Sequence, residues 1–337
     1  MSVGLDIGSK TLKVVELAEE KSGWRLISSG IVANQSKLPG QIIDEKDFLT
    51  LAEVIRKLYK EVKIGAKEVN IALPESLVFT RSVRFPLLDN REIASAVKWE
   101  TEQYIPIPIA EAIVQYQIIE KNDSAAKPES LILLVATPKN LVEKYVKAVQ
   151  MAGLNVVGVE TQLLALVRSL APAEGTVLLM DFGARTTDIA IAKDGNLSFS
   201  RSIPTAGETF TRALVQGLGI EYQQAEEYKK TYGLSDELEE KVKKTLNPVL
   251  AMVTEEIKKA VYYYQSEEKG TAPQSVIVSG GSSRMPEVIA SLTNLLGLEV
   301  VVGDPFAKII VDQEVKKSIE AYSPLYSIAV GLAMRGE

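Results

Sequence analysis

One pattern in this chain occurs twice, and it constrains the fold more than any other feature. "SVGLDIGSKTLKVVELAEEKSGWRLISSGIV" reads as strand, Asp-X-Gly turn, strand, tight turn, strand. "GTVLLMDFGARTTDIAIAKDGNLSFSRSIP" repeats that order about 175 residues later. Solenoid repeats run at periods of about 20–50 residues, so a repeat this distant points to a duplicated, two-lobed α/β fold.

The turns themselves carry chemistry. Each sets an aspartate at a strand end and a glycine where the backbone must turn sharply. Successive N–H groups in such a turn form a concave anion site. Asp6, Gly8, Ser9, Lys10, Thr11 and Lys13 belong to the first turn, and Asp181, Gly183, Thr186 and Thr187 to the second. A lone Asp-X-Gly is more often a plain β-turn with the aspartate bonding its own backbone. Two in matching strand contexts argue for a shared ligand. Two carboxylates facing one polyphosphate repel it unless a cation intervenes, so Asp6 and Asp181 are candidate outer ligands of Mg²⁺, held through water. Arg185, in the second turn, has two possible roles, phosphate partner or solvated side chain; the second is preferred.

A third glycine turn, "VIVSGGSSRM", follows an apolar strand and precedes a helix. Gly280, Gly281 and Ser282 are placed to meet a phosphate or a flat base. Neither GxGxxG nor GxxxxGK[ST] spacing is present, so a Rossmann site and a P-loop are unsupported.

The rest of the chain reads as alternating strands and helices. Phe48, Leu51, Ile55, Leu58 and Val62 recur at helical spacing. "LDNREIASAVKWETEQYI" reads as a helix carrying Ile93, Val97 and Tyr104, and "EAIVQYQIIEK" and "SLILLVATP" as strands joined by a polar loop. Residues 206–269 are helical in pattern, with Leu238, Val242, Leu246, Val249, Val253, Ile257 and Val261 in one core-facing stripe and a bend expected at Pro248.

Composition narrows the chemistry. The chain has no cysteine and no histidine, which removes disulfides, thiolate nucleophiles, the usual zinc sites and imidazole catalysis. Its net charge of −6 is mixed along the sequence and argues against a nucleic-acid groove. Asp6 and Lys10 interrupt the first apolar run, so a signal peptide is not expected. No stretch is long and apolar enough to suggest direct membrane insertion. A cytoplasmic protein is expected.

"GLDIGSKTLK", "LLMDFGARTTDIAI", "VIVSGGSSRM" and "YSIAVGLAMR" fall in the order phosphate 1, phosphate 2, adenosine, connect 2. That order resembles the actin-like ATPase (ribonuclease H-like) superfamily, which includes actin, heat-shock chaperones, sugar kinases and the division protein FtsA. The resemblance covers nearly the whole chain. It implies ATP with Mg²⁺ in a cleft between two lobes, an adenosine turn at Gly280–Ser282, and Gly207 of "IPTAGETFTRAL" near the site. "AEEYKKTYG" is similar to the helix that contacts adenine and ribose in that superfamily. It points to Glu226, Lys229 and Lys230; a solvated helix face is the other explanation. For orienting the attacking water the resemblance offers Glu160 and Gln162 of "GVETQLLALV". Both stay candidates, and Glu160 could equally cap the following helix.

Residues 78–152 fit an FtsA-type α/β subdomain inserted in the first lobe. The expected division is 1–77, 153–173 and 322–337 for the first lobe, 174–205 and 271–321 for the second, and 206–270 for a helical subdomain. "FPLLDNREIASAVKWETEQYIPIPIAEAIVQYQII" and "ATPKNLVEKYVKAVQMAGL" resemble the type IV pilus assembly PilM family. The absence of an amphipathic tail after Glu337 favours that family over FtsA. The resemblance implies an ATP-binding adaptor with at most weak ATPase activity, peripheral at the inner membrane. Its partner would be the N-terminal cytoplasmic peptide of a PilN-like membrane protein, with other pilus platform or motor proteins as further partners. The peptide groove is expected around Val78–Val83 and Ile93–Ile107, although most of those residues could equally form the subdomain's own core. An FtsA-like filament, a type II secretion platform component and a small-molecule kinase are the alternatives.

Overall fold

The computed structural model describes residues 1–336 except 89–91, 94, 98, 100–102, 104, 106 and 123–127. Three sheets organise the chain. The first comprises β1 (Ser2–Ile7), β2 (Thr11–Glu20), β3 (Gly23–Ala33), β4 (Glu68–Leu73), β8 (Asn155–Thr161) and β14 (Ile309–Ile310), in the order β14-β3-β2-β1-β4-β8. The second comprises β9 (Thr176–Phe182), β10 (Thr187–Lys193), β11 (Asn196–Ile203), β12 (Ser275–Ser279) and β13 (Glu299–Val302), in the order β11-β10-β9-β12-β13. In each, an antiparallel three-strand meander is extended on one side by two parallel strands, and the first sheet adds β14 in parallel on the other side. The sequence repeat is thus a repeat of sheet topology, and each sheet is the floor of one lobe.

The third sheet is antiparallel, β5 (Phe79–Pro86), β7 (Glu129–Pro138) and β6 (Ala112–Asn122), ordered β5-β7-β6. It lies in the insertion between β4 and β8. Ile93 and Val97 are buried with Ile132 and Leu134 in this unit's own core, while Tyr104 and the polar loop at 123–127 lie outside the described residues.

The helices follow from their apolar spacing and caps. α1 (Glu45–Val62) starts where the Asp44 carboxylate accepts the Asp47 N–H at 2.9 Å and stops at Lys63 in the left-handed region. α2 (Lys139–Met151) buries Leu141, Tyr145, Ala148 and Val149 against Leu51 and Ile55 of α1. This differs from a boundary at residue 152: although α2 follows the insertion's last strand, its apolar face completes the first lobe's core. β14 shows the same effect, since residues 309–310 pair with Trp24 and Arg25 of the first lobe's sheet. α3 (Gln162–Leu170) lies between the lobes. Its Leu163 and Leu166 pack with Leu133 of the insertion and with Leu179 and Ala190 of the second sheet.

The second lobe carries α4 (Gly207–Leu218), α5 (Tyr222–Thr231) and α6 (Lys241–Ser266). α6 runs unbroken through Pro248 and buries Val242, Leu246, Val249, Val253 and Ile257. Leu238 is the exception to the expected stripe: it precedes the helix, in a 3-10 turn, and is exposed. α7 (Val288–Leu296), α8 (Gln313–Ile319) and α9 (Ser327–Ala333) complete the chain. All seven residues of α9 are buried.

Candidate functional site

The two Asp-X-Gly turns face one cleft of about 340 Å³ between the lobes. Their backbones close alike: the Gly8 N–H donates to the Thr11 carbonyl and the Gly183 N–H to the Thr186 carbonyl, both at 3.1 Å. Asp6 and Asp181 occupy matching places at the strand ends before these turns.

Asp6, Gly8, Ser9, Lys10, Thr11 and Lys13 line the cleft from the first lobe, and Asp181, Gly183 and Thr186 from the second. Gly280 and Gly281 also line the cleft, together with the apolar Pro324, Leu325 and Ile328, which suit a base. Asp6 is buried and paired with the Lys13 Nζ at 2.9 Å. Gln162 reaches the other Asp6 oxygen at 3.4 Å.

Among the described residues the second lobe's acids, Asp181 and Asp188, make no ion pair; Lys13, paired with Asp6, acts on Asp181 only through its field. Asp188 stands directly across the strand pair from Asp181. Its Oδ2 accepts the Thr186 hydroxyl at 2.8 Å, and its Oδ1 is buried, with Ser202 of β11 opposite it as a further donor. Burial pushes Asp188 up to about 6. Burial also pushes Asp181 up to about 7; the Asp188 and Asp6 charges add to the rise, against the pull of Lys13. Three carboxylates thus gather at the cleft, Asp6 paired with Lys13 and Asp181 and Asp188 facing each other across the strand pair.

Several expected residues are tied into hydrogen-bond networks beside the second turn. The Thr187 hydroxyl is buried and donates to the Thr205 carbonyl at 2.7 Å. Ser282 donates to the Gly183 carbonyl at 2.8 Å, and the Gly207 N–H donates to the same carbonyl at 3.2 Å. Lys229 donates to the Gly207 carbonyl at 2.9 Å, to Thr211 at 2.8 Å and to Glu226 at 2.6 Å. Lys230 pairs with Glu226 at 3.3 Å. Ser282, Gly207 and Lys229 thereby brace the backbone of the second turn and of the start of α4, and the Glu226–Lys229 pair lies near enough to Lys10 of the cleft to feel its charge. Glu226 is held below the usual carboxylate range: burial opposes this, but the Lys229 and Thr211 hydrogen bonds outweigh it.

Glu160 is neither a cleft residue nor the helix cap. Both its oxygens take Arg168, at 2.6 and 2.7 Å, and Arg168 also donates to the Gly331 carbonyl at 2.7 Å. Thr161 caps α3 instead, accepting the Leu164 N–H at 3.2 Å. The end of β8 explains the separation: Glu160 is still in the strand, whereas Gln162 opens α3 just past the Thr161 cap, where the chain has changed direction, and Gln162 lines the cleft. Arg185 is likewise not simply solvated, since it donates to Gln41 of the first lobe at 3.2 Å. Asp188 was the missed residue. Laying one turn on the other puts it at the place of Lys13, which is the signal that finds it.

A sequence profile described as type IV pilus assembly protein PilM matches residues 4–337. The chain belongs to the PilM family. Its fold agrees: a solved "PilM-PilN type IV pilus biogenesis complex" superposes with a TM-score of 0.85 at 24% identity, over 99% of this chain and 98% of that one. MreB5 of Spiroplasma citri bound to ADP superposes with a TM-score of 0.54 at 14% identity, over 98% of this chain and 94% of that one. FtsA of Bacillus subtilis is 23% identical over 350 residues, 90% of this chain and 78% of that protein. This PilM-family chain thus has the two-lobed actin-like ATPase fold. Among its described residues no helix is long and apolar enough to cross a membrane.

Proposed function

We propose that this PilM-family chain is an ATP-binding adaptor of the type IV pilus assembly platform, engaging the N-terminal cytoplasmic tail of a PilN-like inner-membrane protein. One observation carries the nucleotide half: two matched anion-binding turns from different lobes line one cleft. The residues fit Mg²⁺-ATP. The carboxylates of Asp6, Asp181 and Asp188, gathered in the cleft, suit a cation. Among the described residues no cluster of three or more acids could hold a metal alone, so the ion would share its ligands with phosphate oxygens and water. Lys13 and the turn N–H groups would hold phosphate, Gly280 and Gly281 would meet adenosine, and Gln162 would orient water. Mg²⁺ would supply charge neutralisation. A nucleotide touching both lobes favours the closed form through its differential affinity, and fast turnover is not required.

The partner half rests on the family and on the PilM–PilN neighbour. Ile93 and Val97, expected near the peptide groove, are spent on the insertion's own core. A groove between the first lobe and α2, lined by Ile42, Ile43, Phe48, Asn140 and Lys144, offers apolar surface instead, and Ile43 is 90% exposed. The adaptor would reach the cytoplasmic face of the inner membrane through its partner.

The test is a titration with the N-terminal peptide of the organism's own PilN-like protein, with and without Mg²⁺-ATP. Saturable binding at micromolar affinity or tighter, weakened by I43D, supports the adaptor. Absence of binding in both conditions refutes it and turns attention to filament and kinase assays.

A further inference from the structure

The two turns also match in a charge that the nucleotide reading leaves unused. Lys10 and Arg185 occupy equivalent places in the first and second turns, and both line the cleft. From opposite lobes they converge on a single atom, Oε1 of Glu208, at 3.1 Å from Lys10 Nζ and 3.7 Å from Arg185 Nε.

Glu208 is held firmly to the second turn. It lies in the first turn of α4, and its N–H donates to the Ala184 carbonyl at 2.7 Å. The preceding Gly207 N–H donates to the Gly183 carbonyl, and Lys229 braces Gly207 from behind. The Glu208 side chain is 22% exposed, against 55% for Lys10 and 45% for Arg185. A partly buried carboxylate on an anchored backbone therefore faces two half-exposed cations. Its link to Lys10 crosses between the lobes, as does the bond from Arg185 to Gln41.

We propose that Glu208 is an internal rival of the nucleotide's phosphate tail and sets how many phosphates the cleft demands. This rests on the nucleotide-binding function proposed above. Lys10 and Arg185 can serve the Glu208 carboxylate or a phosphate tail entering the cleft. Half-exposed ion pairs are weak, so the exchange is easy and reversible. A triphosphate carries enough charge to draw both cations from Glu208, and a monophosphate does not. Glu208 touches neither lobe's phosphate-binding N–H groups, so its effect passes through the two cations. It is a positioning residue.

Calorimetric titration of the full chain and its E208Q variant with ATP, ADP and AMP, each with Mg²⁺, tests this. Glutamine keeps the size and the backbone bond to Ala184 while removing the charge. E208Q should bind ATP about three- to tenfold more tightly than the wild type, with a smaller gain for ADP and none for AMP. K10Q should cost more ATP affinity in the E208Q background than alone, giving a non-zero coupling in the double-mutant cycle. E208S, read against its own thermal melt, is the second variant should E208Q fold poorly. Unchanged or weaker ATP binding in both variants overturns the proposal, and so does an equal gain for AMP. If the wild type binds ATP and the variants gain nothing, this rivalry fails and the nucleotide site stands. If the wild type binds no nucleotide, both fall.

Discussion

The two Asp-X-Gly hairpins share a backbone and differ in the sign of one residue. Across the strand pair from Asp6 stands Lys13, and across from Asp181 stands Asp188. The turns close through the same N–H to carbonyl bond at the same 3.1 Å. The hydrogen-bond donors of an anion site are therefore supplied twice by the main chain, while the side chains divide the remaining work. The first lobe neutralises its own aspartate and offers a cation. The second stacks two buried acids and raises both, leaving a wall that favours a metal ion.

Exchanging or deleting these charges breaks the comparison most directly. K13M should have the largest effect, because it strands Asp6 as a buried carboxylate. A loss of about 3 kcal/mol in urea unfolding is expected, together with loss of nucleotide binding. D188N should act in the opposite direction. Asp188 titrates near 6 in the folded chain, above the ordinary carboxylate range, so the folded state binds the extra proton. Stability from this group is therefore lost as pH rises toward and through about 6. Asparagine removes that loss, so D188N should exceed the wild type by about 3 kcal/mol at pH 8, with the gap shrinking as pH falls through 6 and closing near pH 4. A gap independent of pH would show that Asp188 is not titrating there.

The glycines sharpen the comparison at the level of the backbone. A Cβ on Gly8 would lie 2.7 Å from the Thr11 carbonyl and 3.1 Å from Lys13 Nζ, and one on Gly183 would lie 2.9 Å from the Thr186 carbonyl. G8A and G183A should each cost about 1–2 kcal/mol in thermal unfolding, with G8A the costlier because it also disturbs the ion pair. The smallest effects separate Glu160 from Gln162. E160Q should lower stability by about 1 kcal/mol by weakening the Arg168 fork and leave nucleotide affinity unchanged. Q162A should leave stability nearly unchanged and slow any ATP hydrolysis measured by phosphate release.

The hairpins were legible because alternation, an aspartate and a glycine repeat at a fixed spacing, and local chemistry dictates the turn. The core stripe of α6 was legible for the same reason, save at Leu238, where the helix has not yet begun. What could not be read locally depended on distant partners. α2 follows the insertion in sequence but finds its apolar partners on α1. The two-residue β14 gains its meaning only from its pairing with β3. In the site, residues on the turns themselves were found directly. Glu226, Lys229 and Ser282 have the right chemical types, but that Ser282 and Lys229 also hold the Gly183 and Gly207 backbone could not be read from the sequence. Arg185 and Glu208 needed both lobes in place before their pairing could be seen.

The placement of α9 has a consequence for how the molecule is made. The second lobe's sheet is drawn from one continuous stretch, residues 176–302, and can assemble as soon as that stretch has left the ribosome. The first lobe cannot. Val15 and Leu17 of β2, among the earliest residues synthesised, are covered by Tyr326, Ala329, Val330 and Ala333. The first strands to emerge must therefore wait, with one face bare, for residues translated some three hundred codons later. At about 5–20 residues per second that exposure lasts on the order of tens of seconds, long enough for chaperones to matter more for the amino-terminal half than for the carboxy-terminal half.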